Sequence, residues 1–144
     1  MRAFSSTLAT RQVLVREIGR QREIAFREVG EGTGRSLDLD RFDPHYHHLV
    51  LWSKDAGELA GAYRLGLGDE ILASHGLSGF YTNTLFRFRP RFREKLGSAI
   101  ELGRSFLRAE YQRKHSCLAM LWKGIAEVIV RSHRYNMLFG PVSI

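Results

Sequence analysis

Residues 48–67 have the sequence pattern of a β-hairpin. A short apolar run, HLVLWS, is followed by a polar turn and then by ELAGAYRLGL, in which the residues from Leu59 to Leu65 alternate between two faces. A bounded apolar run and a period-two alternation on either side of a short turn are typical of two antiparallel strands. The chain is therefore expected to contain a β-sheet, and the segments around the hairpin decide the fold class.

Those segments predict helices and further strands. One apolar stripe at helical spacing consists of Leu14, Ile18, Ala25 and Val29, and it predicts a first helix that stops at Gly30. A second stripe consists of Leu118, Leu121, Ile125, Val128 and Ile129. Apolar segments at residues 80–88, 100–107 and 135–144 predict three more strands, and residues 30–47 predict a loop. This order argues for an α/β fold in which helices cover a central sheet.

Composition agrees with one folded domain. The chain has 144 residues, of which 44% are hydrophobic and 26% charged, enough to bury a sizeable core. We treat residues 1–144 as a single domain and expect residues 1–10 to be flexible. No apolar run approaches the roughly 20 residues that span a bilayer, and the N-terminus lacks a secretory pattern, so we expect a cytoplasmic protein with at most peripheral membrane contact. The single cysteine, Cys117, excludes an internal disulfide.

The excess of positive charge is concentrated in one stretch. The formal net charge is +7, and residues 87–114 hold nine basic residues against three acidic ones. Such a field favours an anionic partner, which could be nucleic acid, lipid headgroups or an acidic protein. The segment FRFRPRFREK alternates phenylalanine with arginine, which could stack and bind single-stranded nucleic acid. We favour the alternative, in which the phenylalanines pack inward and the arginines face water, because inward rings cannot stack bases.

Glu101 is the most unusual residue of the predicted strands. A carboxylate in an apolar strand is rare without a partner, and it would suit a general base. Arg64 also interrupts a strand, and the structural alternative is that Glu101 or Arg64 forms a buried ion pair with a neighbouring charge, which could be the other of the two. Glu101 and Arg104 would point to opposite faces of a regular strand, so a shared role needs a bulge, which Gly103 could supply.

The turn after this strand and the histidines offer further candidates. The basic turn before the last predicted helix could bind phosphate at the helix N-terminus, or it could be an ordinary solvated connection. His45 and His47 are spaced as neighbours on one face of a strand would be, but no third ligand motif follows, so we predict no metal site. Cys117 is expected to be a small core residue.

Nine motifs in register resemble a known family. They are AFREVGEGTG, LDLDRFD, HHLVLW, GAYRL, GFYTNTLF, ELGRSF, EYQRK, LWKGI and LFGPVSI. Their order over residues 22–144 is similar to the GNAT-like N-acyltransferases related to bacterial ornithine acyl-carrier-protein acyltransferases, often called hemolysin-like. More distantly the chain resembles the acyl-homoserine-lactone synthases, which share the Glu-x-x-Arg strand.

The resemblance implies a GNAT-like fold with a mostly antiparallel sheet whose central strand splays from its neighbour and admits an acyl-pantetheine thioester. Glu101 then matches the base and Arg104 the residue that orients Glu101 or the acceptor carboxylate. The expected donor-binding residues are Ser105, Phe106, Leu107, Arg113, Lys114 and His115. We expect Arg64 and Arg27 to contact the acceptor, a small amine.

The resemblance also implies an acyl carrier protein as the donor's carrier, with acyl-CoA as the alternative and no permanently bound cofactor. Residues 112–117 lack the glycines of the GNAT pyrophosphate loop, which favours the carrier protein. Relatives continue past GPVSI, so we expect the chain to be C-terminally truncated. The leading hypothesis is a fatty N-acyltransferase. Its rivals are a noncatalytic module that binds acyl carrier protein or lipid and, less favoured, a nucleic-acid-binding protein.

Overall fold

A single sheet organises the structure, a computed structural model that describes residues 4–9 and 12–142. Its strands, in spatial order, are β1 (Phe4–Ala9), β2 (His47–Ser53), β3 (Glu58–Leu67), β4 (Ala99–Leu107) and β5 (Met137–Phe139). The first three pairings are antiparallel, whereas β4 and β5 are parallel. The predicted hairpin is β2–β3, and the mostly antiparallel sheet of the predicted fold class is confirmed.

Two long helices cover opposite faces of this sheet. The helices are α1 (Gln12–Glu28), α2 (Gly68–Ser74), α3 (Pro90–Arg93) and α4 (His115–Ser132). Ile18 of α1 packs against Val50, whereas Leu121 of α4 packs in the cluster that contains Leu49 and Leu51. Because β2 is buried on both faces, its sequence is a continuous apolar run rather than an alternation.

A third apolar cluster replaces the strand predicted at residues 80–88. Phe80 and Phe88 are buried beside Phe42, Tyr46, Ile71 and Leu96. The backbone there forms a 3-10 turn at Tyr81–Thr84 with local hydrogen bonds such as Leu85 N–H to Thr82 O. The strand prediction is wrong because the aromatic residues fill a compact cluster instead of one face of a sheet.

Several boundaries also differ from the predictions. α1 ends at Glu28 and Val29 is 67% exposed, α2 was not predicted, and the last strand spans only Met137–Phe139. Phe88 is buried and Phe92 partly buried, as predicted for inward rings, but Phe86 is exposed and the short helix α3 begins at Pro90. Flexibility was predicted for residues 1–10, but Phe4–Ala9 pairs with β2; residues 1–3 and 10 lie outside the described residues, as do 143 and 144.

None of the helices within residues 12–142 is both long and apolar enough to cross a membrane.

Candidate active site

A cavity of about 620 Å³ opens where β4 and β5 separate. Only Ala99, Ile100 and Glu101 of β4 pair with β5. Gly140 then lies tight against Leu102, because a Cβ at this glycine would stand 2.0 Å from the Leu102 carbonyl oxygen. Beyond this contact the two segments form opposite walls, one of them from Leu102 to Ser105 and the other from Leu138 to Val142. The gap beside this strand that the resemblance implied is present, but it begins at Leu102, after the last residue of β4 that pairs with β5.

A bulge in β4 turns consecutive residues toward the cavity. The pairing of β3 with β4 shifts register between Ala62 and Arg64, and Arg104 has a positive φ of 48°. Neighbouring residues of a regular strand point to opposite faces, yet Gly103, Arg104 and Ser105 all line the cavity. The predicted bulge therefore exists, with its strained residue at Arg104.

Arg104 is the positive group of the cavity. Its side chain is 25% exposed, and Nη1 lies 3.6 Å from Oδ2 of the buried Asp38. The guanidinium also lies 5.6 Å from the ring centres of Phe26 and Tyr81, while Nε has no hydrogen-bond partner among the described residues. Burial raises the pKa of Asp38 and the Arg104 charge opposes that rise. Asp38 thus anchors the Arg104 guanidinium through an ion pair, while part of the side chain stays exposed at the cavity.

Glu101 lies behind the cavity wall instead of facing the cavity. It is 2% exposed and is absent from the cavity lining. Its Oε1 accepts the Tyr46 hydroxyl at 2.5 Å and its Oε2 accepts the Thr82 N–H at 3.1 Å. Burial and the Glu101 carboxylate both raise the pKa of the Tyr46 hydroxyl, which keeps Tyr46 a donor. The structure therefore gives no support to direct contact between Glu101 and an acceptor amine, because two protein donors already bind its buried carboxylate.

Arg64 is not available to an acceptor either. It is 1% exposed, and its Nη1 donates to Asp40 at 2.7 Å and to Asp43 at 3.3 Å. Arg22 of α1 shares Asp43 at 3.2 Å. The structural alternative, a buried ion pair with a neighbouring charge, is confirmed for Arg64, whose partners are Asp40 and Asp43 instead of Glu101. The predicted contact of Arg64 with the acceptor therefore lacks support. The network fixes α1 and the 38–43 loop on the sheet.

Arg27 also lies outside the cavity lining. Its exposed guanidinium pairs with Glu23 at 3.2 Å and donates to the Arg35 carbonyl at 2.9 Å. The prediction of an acceptor contact therefore lacks support. The residue that sequence reasoning missed is Glu31, four positions further on, which lines the cavity. The signal lies in the sequence GEGTG, because Gly30 and Gly34 have φ values of +78° and +80°, the left-handed conformation that favours glycine.

The predicted donor-binding residues occupy three kinds of position. Ser105 is exposed and lines the cavity. Phe106 is buried under α1 and Leu107 packs on the α4 side, and neither lines the cavity. The basic residues Arg113, Lys114 and His115 are exposed at the start of α4 but do not line the cavity. Trp122, on the same helix, does line it, so α4 connects the basic turn with the cavity.

The remaining candidates, His45, His47 and Cys117, have contacts typical of structural residues. His45 bonds to the Gly79 carbonyl and stacks on His75 at 4.0 Å, while His47 pairs with Glu70. No group of three metal-ligating side chains occurs among the described residues. Cys117 is buried in the core, and burial raises the pKa of its thiol.

Comparisons with known proteins give consistent results. Residues 21–123 match the family model described as acetyltransferase (GNAT) domain. Relatives named glycine N(alpha)-acyltransferase, from Phocaeicola vulgatus and Bacteroides thetaiotaomicron, are each 38% identical over 142 residues, covering 91% of the chain but 44% and 42% of their own lengths. A relative named L-ornithine N(alpha)-acyltransferase, from Rhodobacter capsulatus, is 31% identical over 112 residues, covering 74% of the chain and 41% of its own length. The chain thus spans less than half the length of these relatives.

Two solved structures share the fold. The AHL synthase LasI superposes with a TM-score of 0.62 at 12% identity, covering 94% of this chain and 70% of that one. The CoA-dependent acyl-homoserine lactone synthase MesI gives 0.57 at 15% identity, covering 92% and 69%. At these identities the likeness concerns the fold.

Proposed function

The chain belongs to the GNAT acetyltransferase family, and we propose that it is an N-acyltransferase domain that transfers a fatty acyl group from a pantetheine thioester to the amine of an amino acid. The observation that carries the proposal is the cavity between β4 and β5, with Arg104 on its wall and apolar residues around it. The names of the relatives support an amino acid as acceptor.

The cavity has room and chemistry for a fatty thioester. Its apolar lining includes Tyr63, Leu102, Trp122, Leu138 and Val142, and apolar walls bury an acyl chain favourably. Among residues 4–9 and 12–142, no strand pairs with β4 beyond Glu101 on the β5 side, so backbone N–H groups near Ser105–Leu107 can bind the thioester carbonyl. Each such donor stabilises a developing oxyanion by a factor of about 10²–10³ in rate.

Arg104 is proposed to bind the carboxylate of the acceptor. Asp38 holds one end of its guanidinium at 3.6 Å, and the cavity side remains open. A fixed guanidinium is well suited to a carboxylate because it can donate two parallel hydrogen bonds. This contact would orient the amine toward the thioester without forming a covalent enzyme intermediate.

Glu101 is proposed as a positioning residue. It accepts hydrogen bonds from the Tyr46 hydroxyl and from Thr82 N–H, while the Tyr46 oxygen accepts the Tyr81 N–H at 2.9 Å. Tyr81 lines the cavity and lies under the Arg104 guanidinium. Glu101 would therefore act on the reaction by fixing the wall that holds Tyr81 and Arg104.

We further propose that acyl carrier protein presents the donor. The exposed basic residues at the start of α4 could bind its phosphodiester and acidic surface. α4 has no acidic residue in its first turn and no side-chain cap, so its first N–H groups also favour an anion. Acyl-CoA is the alternative donor, and its diphosphate would use the same residues.

The test is incubation of the chain with long-chain acyl carrier protein thioesters or acyl-CoA and a panel of amino acids. Transfer should release one free thiol for each N-acyl product identified by mass. Carrier-protein binding without thiol release would favour the noncatalytic module, and salt-sensitive binding to single-stranded nucleic acid, weakened by Phe86→Ser, would favour the third candidate.

A further inference from the structure

We propose that Glu31 binds the ammonium group of the acceptor, so that Glu31 and Arg104 together select a dipolar amino acid. The inference rests on the proposed function and adds to it a residue that recognises the acceptor. Among the described residues that line the cavity, Glu31 is the acidic one and Arg104 the basic one. One cavity thus offers a negative and a positive contact from two different elements, the loop after α1 and the strand β4.

The carboxylate of Glu31 is available to a ligand. Glu31 is exposed, and it forms no ion pair within the described part of the chain. In contrast, Asp38, Asp40 and Asp43 on the following loop are each in contact with an arginine. Glu31 therefore differs from the structural acids nearby, because its charge is not used to hold the fold.

Hydrogen bonds to α1 fix the loop that carries Glu31. Glu31 N–H donates to the Phe26 carbonyl at 2.8 Å, and Gly30 makes the turn with a positive φ. The buried Glu23 accepts the N–H of Thr33 at 2.8 Å and the Thr33 hydroxyl. These bonds lower the pKa of Glu23, which keeps its carboxylate ionised as the anchor of the loop.

Gly32 shows how closely this loop approaches α1. A Cβ at Gly32 would lie 2.5 Å from the Glu23 carboxylate and 3.0 Å from the Arg27 backbone. Any larger side chain would push the loop away from the helix. Glycine at position 32 therefore lets the loop stay close to α1, which keeps Glu31 at the cavity.

The reaction requires the acceptor's carboxylate to be bound and its ammonium group to lose a proton. An amino acid enters with its nitrogen as ammonium, and one proton must pass to solvent before the nitrogen can attack. A carboxylate open to water can bind the ammonium and relay that proton. The C–N bond then forms, the C–S bond breaks, and the second nitrogen proton leaves with the thiolate as free thiol. Acceptors that lack a positive charge gain nothing from Glu31.

The test compares Glu31→Gln with Glu28→Gln, a neighbouring exposed acid that is absent from the cavity lining. Glycine, charged at neutral pH, and hydroxylamine, uncharged there, are the two acceptors. Glu31→Gln should raise KM for glycine about tenfold or more, the usual effect of losing a charge-assisted hydrogen bond, and leave KM for hydroxylamine unchanged. Glu28→Gln should match the parent chain with both acceptors.

Two results would overturn the inference: an equal loss with hydroxylamine, which indicates a general effect on the fold or chemistry, or no loss with glycine. Equilibrium dialysis with radiolabelled glycine tests the same contact without turnover. If no amine is acylated but glycine binds in a Glu31-dependent way, the proposed function fails and the site stands. If amines are acylated and Glu31→Gln neither raises KM nor weakens binding of glycine, the site alone fails.

Discussion

The Tyr46 hydroxyl donates a 2.5 Å hydrogen bond to the buried carboxylate of Glu101 and accepts the N–H of Tyr81. One hydroxyl thereby links the loop before β2, the strand β4 and the cavity wall. Because the site is closed to water, loss of this hydroxyl would leave a carboxylate oxygen and an amide N–H without partners.

Tyr46→Phe should therefore lower both stability and turnover. We expect the free energy of unfolding to fall by about 1–3 kcal/mol, the cost of unsatisfied buried polar groups. Turnover should fall as well, because Tyr81 loses the acceptor that fixes its position. Urea unfolding and the thiol-release assay measure the two effects. Tyr111→Phe is the control, because its hydroxyl bonds to the partly exposed Glu58 at 2.6 Å outside the cavity; it should retain turnover.

The contact between Gly140 and Leu102 predicts a second effect. A Cβ at Gly140 would stand 2.0 Å from a backbone oxygen, which cannot move as a flexible side chain can. Gly140→Ala should cost about 1–3 kcal/mol of stability and change the width of the cavity. Gly97→Ala is the matched control, because its Cβ would meet nothing within 4 Å. Equal unfolding midpoints for the two variants would contradict the packing at Gly140.

Local patterns in the sequence predicted the hairpin, both long helices and β4. The continuous run in β2, the alternation in β3 and the helical stripes are set by near neighbours in the chain, so their periods can be recognised without coordinates. Residues 80–88 were predicted wrongly because aromatic residues and threonine are typical of strands, whereas here Phe80 and Phe88 pack in a cluster with distant residues such as Phe42 and Phe139.

The candidate site was predicted only in part. The resemblance placed the gap beside β4 and assigned Arg104 to it. It could not show that Asp40 pairs with Arg64, 24 positions away, or that the Tyr46 hydroxyl bonds to the Glu101 carboxylate, 55 positions away. Glu31 was missed for a different reason: GEGTG indicates a tight local turn, but only the structure shows that this turn meets β4 and the segment after β5 at one cavity.

His48 predicts a pH dependence of stability. Burial lowers its pKa below the usual value of 6.5, and the ring is 1% exposed. As the pH falls through about 6.5, His48 takes up a proton in the unfolded chain but stays neutral in the folded one, so stability decreases. The urea midpoint should fall between pH 7 and pH 5. A flat midpoint over this range would contradict a neutral, buried His48.

Arg104 predicts a selective change in acceptor use. Arg104→Gln should raise KM for glycine about tenfold or more, whereas glycinamide, which lacks the carboxylate, should be used as before. Arg131→Gln is the control, because Arg131 lies at the end of α4 with a side chain 82% exposed. If glycinamide suffers the same loss as glycine, Arg104 does not bind the carboxylate and acts on the fold or the donor instead.

The basic turn before α4 predicts how the donor is recognised. Arg113→Glu combined with Lys114→Glu reverses charge at the exposed N-terminus of α4. This double variant should lower kcat/KM for acyl carrier protein thioesters about tenfold or more. At high salt, kcat/KM of the parent chain should fall most of the way to that of the variant. A short acyl-N-acetylcysteamine thioester has neither phosphate nor protein, so its rate should not change. Arg131→Glu combined with Lys54→Glu controls for net charge, because it makes the same charge change at two exposed positions away from the turn and outside the cavity lining. An equal loss with the short thioester would show that the turn supports the cavity itself, because a donor without an anion has no contact there to lose.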